Sequence, residues 1–142
     1  MIKNFDHMTV AVTDINKSKK FFELLGFEVV HDLVIEKDPF SVFINIKDLK
    51  AQHVTMKIKG TDFEIQLLYL YSPTPQHDKH INRLDKIGYN HMCFNIDNLE
   101  KMTKYLQDNN VKILSGVLEF NNRKLVYLEG PDGIIIELAE WV

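Results

Sequence analysis

The sequence predicts an α+β fold assembled from two similar modules, and three observations predict it. First, the chain repeats itself: Asp6–Val12 reads DHMTVAV and Asn90–Ile96 reads NHMCFNI, which sets His7 and His91 84 residues apart. Second, each copy leads into an amphipathic helical stretch closed by a residue that tolerates a left-handed turn. Third, each half ends in a strand-like run introduced by a turn, Gly60-Thr61-Asp62 in one and Gly130-Pro131-Asp132-Gly133 in the other. The expected division of this single domain is a first module over 1–71, a linker over 72–87 with two prolines, and a second module over 88–142.

The same 84-residue shift justifies the elements in order. Thr13 and Asp97 stand where a helix begins, and their side-chain oxygens suit an N-cap. Glu100, three residues after Asp97, suits a capping box. Ile15, Phe22 and Leu25 then form one apolar helical face, and Leu99, Met102 and Leu106 form the other. Gly26 and Asn110 close the two helices. Strand-like runs follow at Phe27–Val34, Ser41–Ile46, Val54–Lys59 and Phe63–Tyr71 in the first half. In the second half they are Lys112–Ser115, Val117–Glu119, Lys124–Leu128 and Ile134–Val142. The first half is longer, and its surplus falls around Glu36–Gln52.

Composition narrows the function. A chain of 142 residues with 45% apolar content can bury a sizeable core. A formal charge of -3 and scattered lysines argue against nucleic acid as a partner. Lys17, Lys19 and Lys20 read as the solvated face of the first helix. No apolar run is long enough to cross a bilayer, and the N-terminus has no signal-peptide pattern. Cys93 is the sole cysteine, so an intrachain disulfide is impossible. The expected location is cytoplasmic, with neither membrane nor nucleic acid as a partner.

Side chains alternate along a strand, so each repeat has two faces. Met8, Val10 and Val12 form the row that packs under a helix, leaving His7, Thr9 and Ala11 opposite. Met92, Phe94 and Ile96 likewise leave His91, Cys93 and Asn95 opposite. In the terminal strands, Ile136-Glu137-Leu138 aligns with Ile65-Gln66-Leu67. Glu137 interrupts an apolar run, where an unpaired carboxylate would be costly. Two imidazoles, an amide oxygen and a carboxylate, all placed by one repeat, suit a divalent metal ion: Zn, Ni, Co, Mn or Fe. The candidate ligands are His7, Gln66, His91 and Glu137, with Glu64 the alternative to Gln66 because it lies on the same strand face.

The stretches FDHMTVAVTDINKSKKFFELLGFEVV, GYNHMCFNIDNLEKMTKYLQDNNVKI and YLEGPDGIIIELAEW together resemble the vicinal oxygen chelate superfamily. That superfamily includes glyoxalase I, methylmalonyl-CoA epimerase, extradiol dioxygenases and fosfomycin-resistance enzymes. The resemblance covers essentially the whole chain. It implies two βαβββ modules curling into a mixed-sheet cup, the glyoxalase/bleomycin resistance/dioxygenase fold, with a metal inside held by His7, Gln66, His91 and Glu137. It also implies a homodimer and a small-molecule substrate. Glyoxalase-like activity would make Glu137 both ligand and base, removing a proton α to a chelated carbonyl in a lyase or isomerase reaction. Epimerase-like members need a second acid in the third strand, but AQHVTMKIKG offers none, and His53 is the residue nearest that place. Two alternatives stay open: a non-catalytic binding protein of the bleomycin-resistance type, or a thiol transferase of the fosfomycin-resistance type. Arg123 and Lys124 precede the penultimate strand, where they could meet a substrate carboxylate or phosphate, and a solvated hairpin is the expected reading. Tyr69 and Tyr71 end the Gln66 strand, and His77 and His80 receive no role.

Overall fold

A computed structural model describes all residues, Met1 to Val142. The chain forms two compact units, Met1–His77 and Asp78–Val142. In the first unit the order is β1 (His7–Ala11), α1 (Ile15–Leu24), β2 (Phe27–Glu36), α2 (Phe40–Phe43), β3 (Lys50–Ile58) and β4 (Glu64–Ser72). In the second it is β5 (Met92–Asn95), α3 (Leu99–Asp108), β6 (Leu118–Phe120), β7 (Arg123–Glu129) and β8 (Ile135–Trp141), with a 3-10 turn at Pro131–Gly133 before the last strand. Each unit is therefore a βαβββ module, with the small α2 inserted in the first.

The two sheets have matching topology, β1-β4-β3-β2 and β5-β8-β7-β6. The first strand of each pairs in parallel with the last, and the remaining pairs are antiparallel. The parallel pairing requires a crossover, which α1 and α3 provide. Their apolar faces cover one side of each sheet. In the first unit Phe22 is fully buried and meets the Phe27 ring edge-on at 5.6 Å, above buried Val10, Val54, Met56, Ile65 and Leu67. In the second, Leu99 and Leu106 cover Val126, Leu128, Ile136 and Leu138, all nearly inaccessible. Burial of each such side chain contributes roughly 1.5–3 kcal/mol. Val10, Val12 and Met92 are buried as the alternation predicts, while Thr9, Ala11, Cys93 and Asn95 are exposed on the other face.

Several local expectations are corrected. The N-caps are Asp14 and Asn98, one residue beyond Thr13 and Asp97. The ladders persist to Val12 and Ile96, whose N–H groups donate to Leu68 and Ala139, and this delays both helices. Asp14 Oδ1 accepts from Lys17 N at 2.9 Å and Asn98 Oδ1 from Lys101 N at 2.8 Å. Glu100 then sits in the first turn without completing a box. Ser41–Ile46 is not a strand: Phe40–Phe43 is helical, because Pro39 holds a helical backbone at φ -84° and the Ser41 hydroxyl bonds the Asp38 carboxylate. Lys112–Ser115 is reduced to a single bridge between Ile113 and Leu128, since the Ser115 hydroxyl takes the Tyr127 N–H that a continuing strand would bond through its backbone. Gly26 and Asn110 do close the helices with positive φ, +92° and +63°.

Candidate metal centre

In the second unit, β8 carries the carboxylate. Its even-numbered side chains face α3, and Glu140 Oε2 accepts from the Leu99 N–H at 2.6 Å, capping that helix. Glu137 therefore points to the opposite face. Its neighbours Ile135, Ile136, Leu138 and Ala139 are buried, and the Glu137 side chain is only 13% exposed. Directly beside it stand Cys93 on β5 and Tyr127 on β7.

His91, immediately before β5, meets Glu137, with Nε2 3.0 Å from Oε2. The proton arithmetic of this contact is informative. Asn90 Nδ2 donates to Leu84 O at 2.6 Å, which fixes the amide and turns its oxygen toward His91 Nδ1 at 2.8 Å. An amide oxygen only accepts, so Nδ1 carries the hydrogen. In neutral imidazole that leaves a lone pair on Nε2, facing a carboxylate lone pair. At this distance the two atoms share either a proton, carried by one or the other, or a metal ion held between them. The Tyr127 ring stands edge-on to the imidazole at 5.2 Å.

The acidic neighbours of Glu137 register its charge. Partial burial pushes the Cys93 thiol up to about 11, and the Glu137 charge and a hydrogen bond to Glu137 add to the effect. The Tyr127 hydroxyl is also raised, chiefly by burial and then by Glu137 and Cys93. Both therefore stay protonated at neutral pH, so Cys93 can donate to Glu137.

The first unit repeats the arrangement with altered chemistry. His7 Nδ1 lies 2.6 Å from Asp6 Oδ1, so its Nε2 is again the nitrogen left to ligate. Gln66 stands opposite Thr9 just as Glu137 stands opposite Cys93, and Glu64 stands opposite His7. The Thr9 hydroxyl donates to Gln66 Oε1 at 3.3 Å, and His53 Nε2 lies 3.0 Å from the same oxygen. Glu64 reaches toward Lys57 instead, at 3.9 Å. The structure thus joins His91 to Glu137 directly, and joins Gln66 to Thr9 and His53.

These donors suit a divalent ion. Each imidazole has Nδ1 fixed by a side-chain oxygen of the preceding residue, the outer-shell arrangement that orients metal-bound histidines. Each unit contains one such imidazole and one side-chain oxygen, and no three or more His, Cys, Asp and Glu side chains are grouped so as to hold an ion. Sequence reasoning missed Asp6 and Asn90, although the repeat displayed both, each an oxygen-bearing residue before a histidine. It also misjudged Arg123, expected in a solvated hairpin. Arg123 lies within β7, its guanidinium carbon 4.9 Å from the Trp141 ring centre, and its Nε is buried without a hydrogen-bond partner. Tyr69 and Tyr71 pack edge-on at 5.0 Å, and the Tyr71 hydroxyl donates to Gln52.

Residues 4–138 match the family described as the Glyoxalase/Bleomycin resistance protein/Dioxygenase superfamily. The chain belongs to that superfamily. Among its relatives is a lactoylglutathione lyase of Schizosaccharomyces pombe, 25% identical over 94% of this chain, which spans only 46% of that enzyme. A metallothiol transferase FosB of Staphylococcus saprophyticus is 29% identical over 97% of this chain and 77% of its own length. A glyoxalase family protein from Bacillus cereus has the same fold, with a TM-score of 0.92 at 20% identity, covering 100% of this chain and 96% of that one. The superfamily's βαβββ modules are those described above.

Proposed function

We propose that the protein is a metal-dependent lyase or isomerase of the glyoxalase type, with His7, Gln66, His91 and Glu137 as ligands of a divalent ion and Glu137 as the base. The observation that carries this reading is the His91–Glu137 contact, in which the Asn90 amide assigns the ring hydrogen to Nδ1 and leaves Nε2 facing a carboxylate 3.0 Å away. When bound, a divalent ion supplies positive charge that favours removal of a proton α to a carbonyl of the substrate. The chain's own residues do the rest. Glu137 accepts that proton and returns it to the adjacent carbon. The Cys93 thiol donates to the carboxylate from one side, and Tyr127 stands opposite Glu137 on the other. Gln66 contributes a neutral oxygen, so only one ligand brings negative charge.

The likeness to a metallothiol transferase favours a second reading, addition of a thiol to an electrophilic carbon, in which Glu137 is a ligand only. Metal analysis of protein purified without chelators tests the centre common to both. Stoichiometric divalent metal is expected, lost in His91→Ala, and wild-type protein that takes up no Zn, Ni, Co, Mn or Fe defeats it. Incubating substrate candidates in heavy water separates the two reactions, since only proton abstraction exchanges a carbon-bound hydrogen.

A further inference from the structure

Arg123 carries a feature that neither the core nor the proposed metal site uses. It lies opposite Trp141, at the end of the row of side chains formed by Tyr127 and Leu125 on β7 and by Glu137 and Ala139 on β8. Its guanidinium carbon lies over the indole, 4.9 Å from the ring centre, and its Nε is buried with no hydrogen-bond partner. A buried donor on a cationic group is costly to leave unmade, more so than a neutral one. The Trp141 ring restrains the guanidinium lying over it, whose planar fork suits a planar anion.

We propose that Arg123, held by Trp141, is an anion subsite that takes a carboxylate of the substrate remote from the reacting carbon. Arg123 lies four positions from Tyr127, and Trp141 four from Glu137, roughly 13 Å along a strand. The arginine side chain shortens that span, so the reacting carbon and the carboxylate are separated by several bonds. The apolar side chains of Leu125 and Ala139 lie between the two ends and suit a hydrocarbon or thioether stretch. The substrate class is therefore an oxo compound with a distal carboxylate, as distinct from a short uncharged 2-oxoaldehyde. That class rests on Glu137 being the base, whereas the anion subsite itself does not.

The protein has one tryptophan, so its fluorescence reports on this place alone. Metal-stripped full-length protein is titrated with glutarate, and with glutaramide as the uncharged control, at constant ionic strength. A saturable change in Trp141 emission with glutarate and none with glutaramide is expected. Arg123→Gln should weaken the glutarate response at least tenfold, and Arg123→Lys, which keeps charge but loses the planar fork, should lie between. No glutarate response in the wild type, or an equal response in Arg123→Gln, overturns the subsite. Metal content of the same preparations is measured separately, so loss of the metal reading leaves this result standing, and the reverse.

Discussion

At the scale of single residues, Asn90 does as much to define the site as His91. Its amide is fixed by Leu84 O, and only then does the imidazole have one available tautomer. Asn90→Ala should weaken metal binding roughly 10–100-fold while leaving the ligands in place, as outer-shell substitutions do, measured by competition with a chelating dye. Glu137→Gln keeps size and an oxygen but removes the base. Turnover should fall roughly 10²–10⁴-fold with most of the metal retained, and equal loss of both would make Glu137 a ligand only. Cys93 gives a prediction in pH. Its thiol is raised from 9.0 to about 11, so the metal-free fold favours the protonated form. This stability is fully present below pH 9 and is lost as pH rises toward 11, and the rate of alkylation by iodoacetamide should keep climbing until pH reaches about 11, where an ordinary thiol would level off near 9. The repeat makes His7, Gln66, His91 and Glu137 candidates from the sequence alone, and the sequence also points to His53. The place of Tyr127 beside Glu137 and of Arg123 opposite Trp141 comes from strand register, which a sequence without its pairing does not display.

At the scale of elements, the caps test how well the helices are understood. Asn98→Ala and Asp14→Ala should each cost about 1 kcal/mol in urea unfolding, whereas Asp97→Ala should cost clearly less. The sequence placed both helices correctly from their apolar faces and their closing Gly26 and Asn110. It missed the starts by one residue because nothing local says that a parallel ladder continues to Val12 and Ile96. Ser41–Ile46 misled for a different reason. Val42 and Phe43 look like strand residues but are exposed on a short helix, so their apolarity reflects no core. Gly130 marks a tighter constraint. A Cβ there would approach Ile134 Cγ1 to 2.8 Å and Ile136 Cδ1 to 2.9 Å, so Gly130→Ala must shift both isoleucine side chains. A loss of roughly 1–3 kcal/mol is expected in thermal unfolding, because Ile136 is fully buried and its packing must change.

At the scale of the whole molecule, the repeat gives two units of like topology. Each unit brings one oriented imidazole and one oxygen, one of them charged and the other neutral. If they serve one ion, binding must stabilise the chain globally. Metal at 100 times its dissociation constant should add about 2.7 kcal/mol to unfolding, and His7→Ala and His91→Ala should both abolish the gain. A gain that survives in His7→Ala would place the ion in the second unit alone. Homodimerisation, proposed from the family likeness, is checked by light scattering at micromolar concentration.

The alternation along β8 has a consequence for how this gene can change. Two acids three positions apart look outward to opposite sides: Glu140 neutralises the start of a helix, and Glu137 serves the candidate centre. A slip of one rung would exchange what the two sides of the strand receive, setting aliphatic side chains at the centre and a carboxylate under the helix. Codons can therefore be gained or lost in the hairpin after Phe120 far more readily than between Gly130 and Trp141, where a single one would break two jobs at once. Variation in this protein's descendants should accumulate by substitution along β8, and by length change everywhere else first.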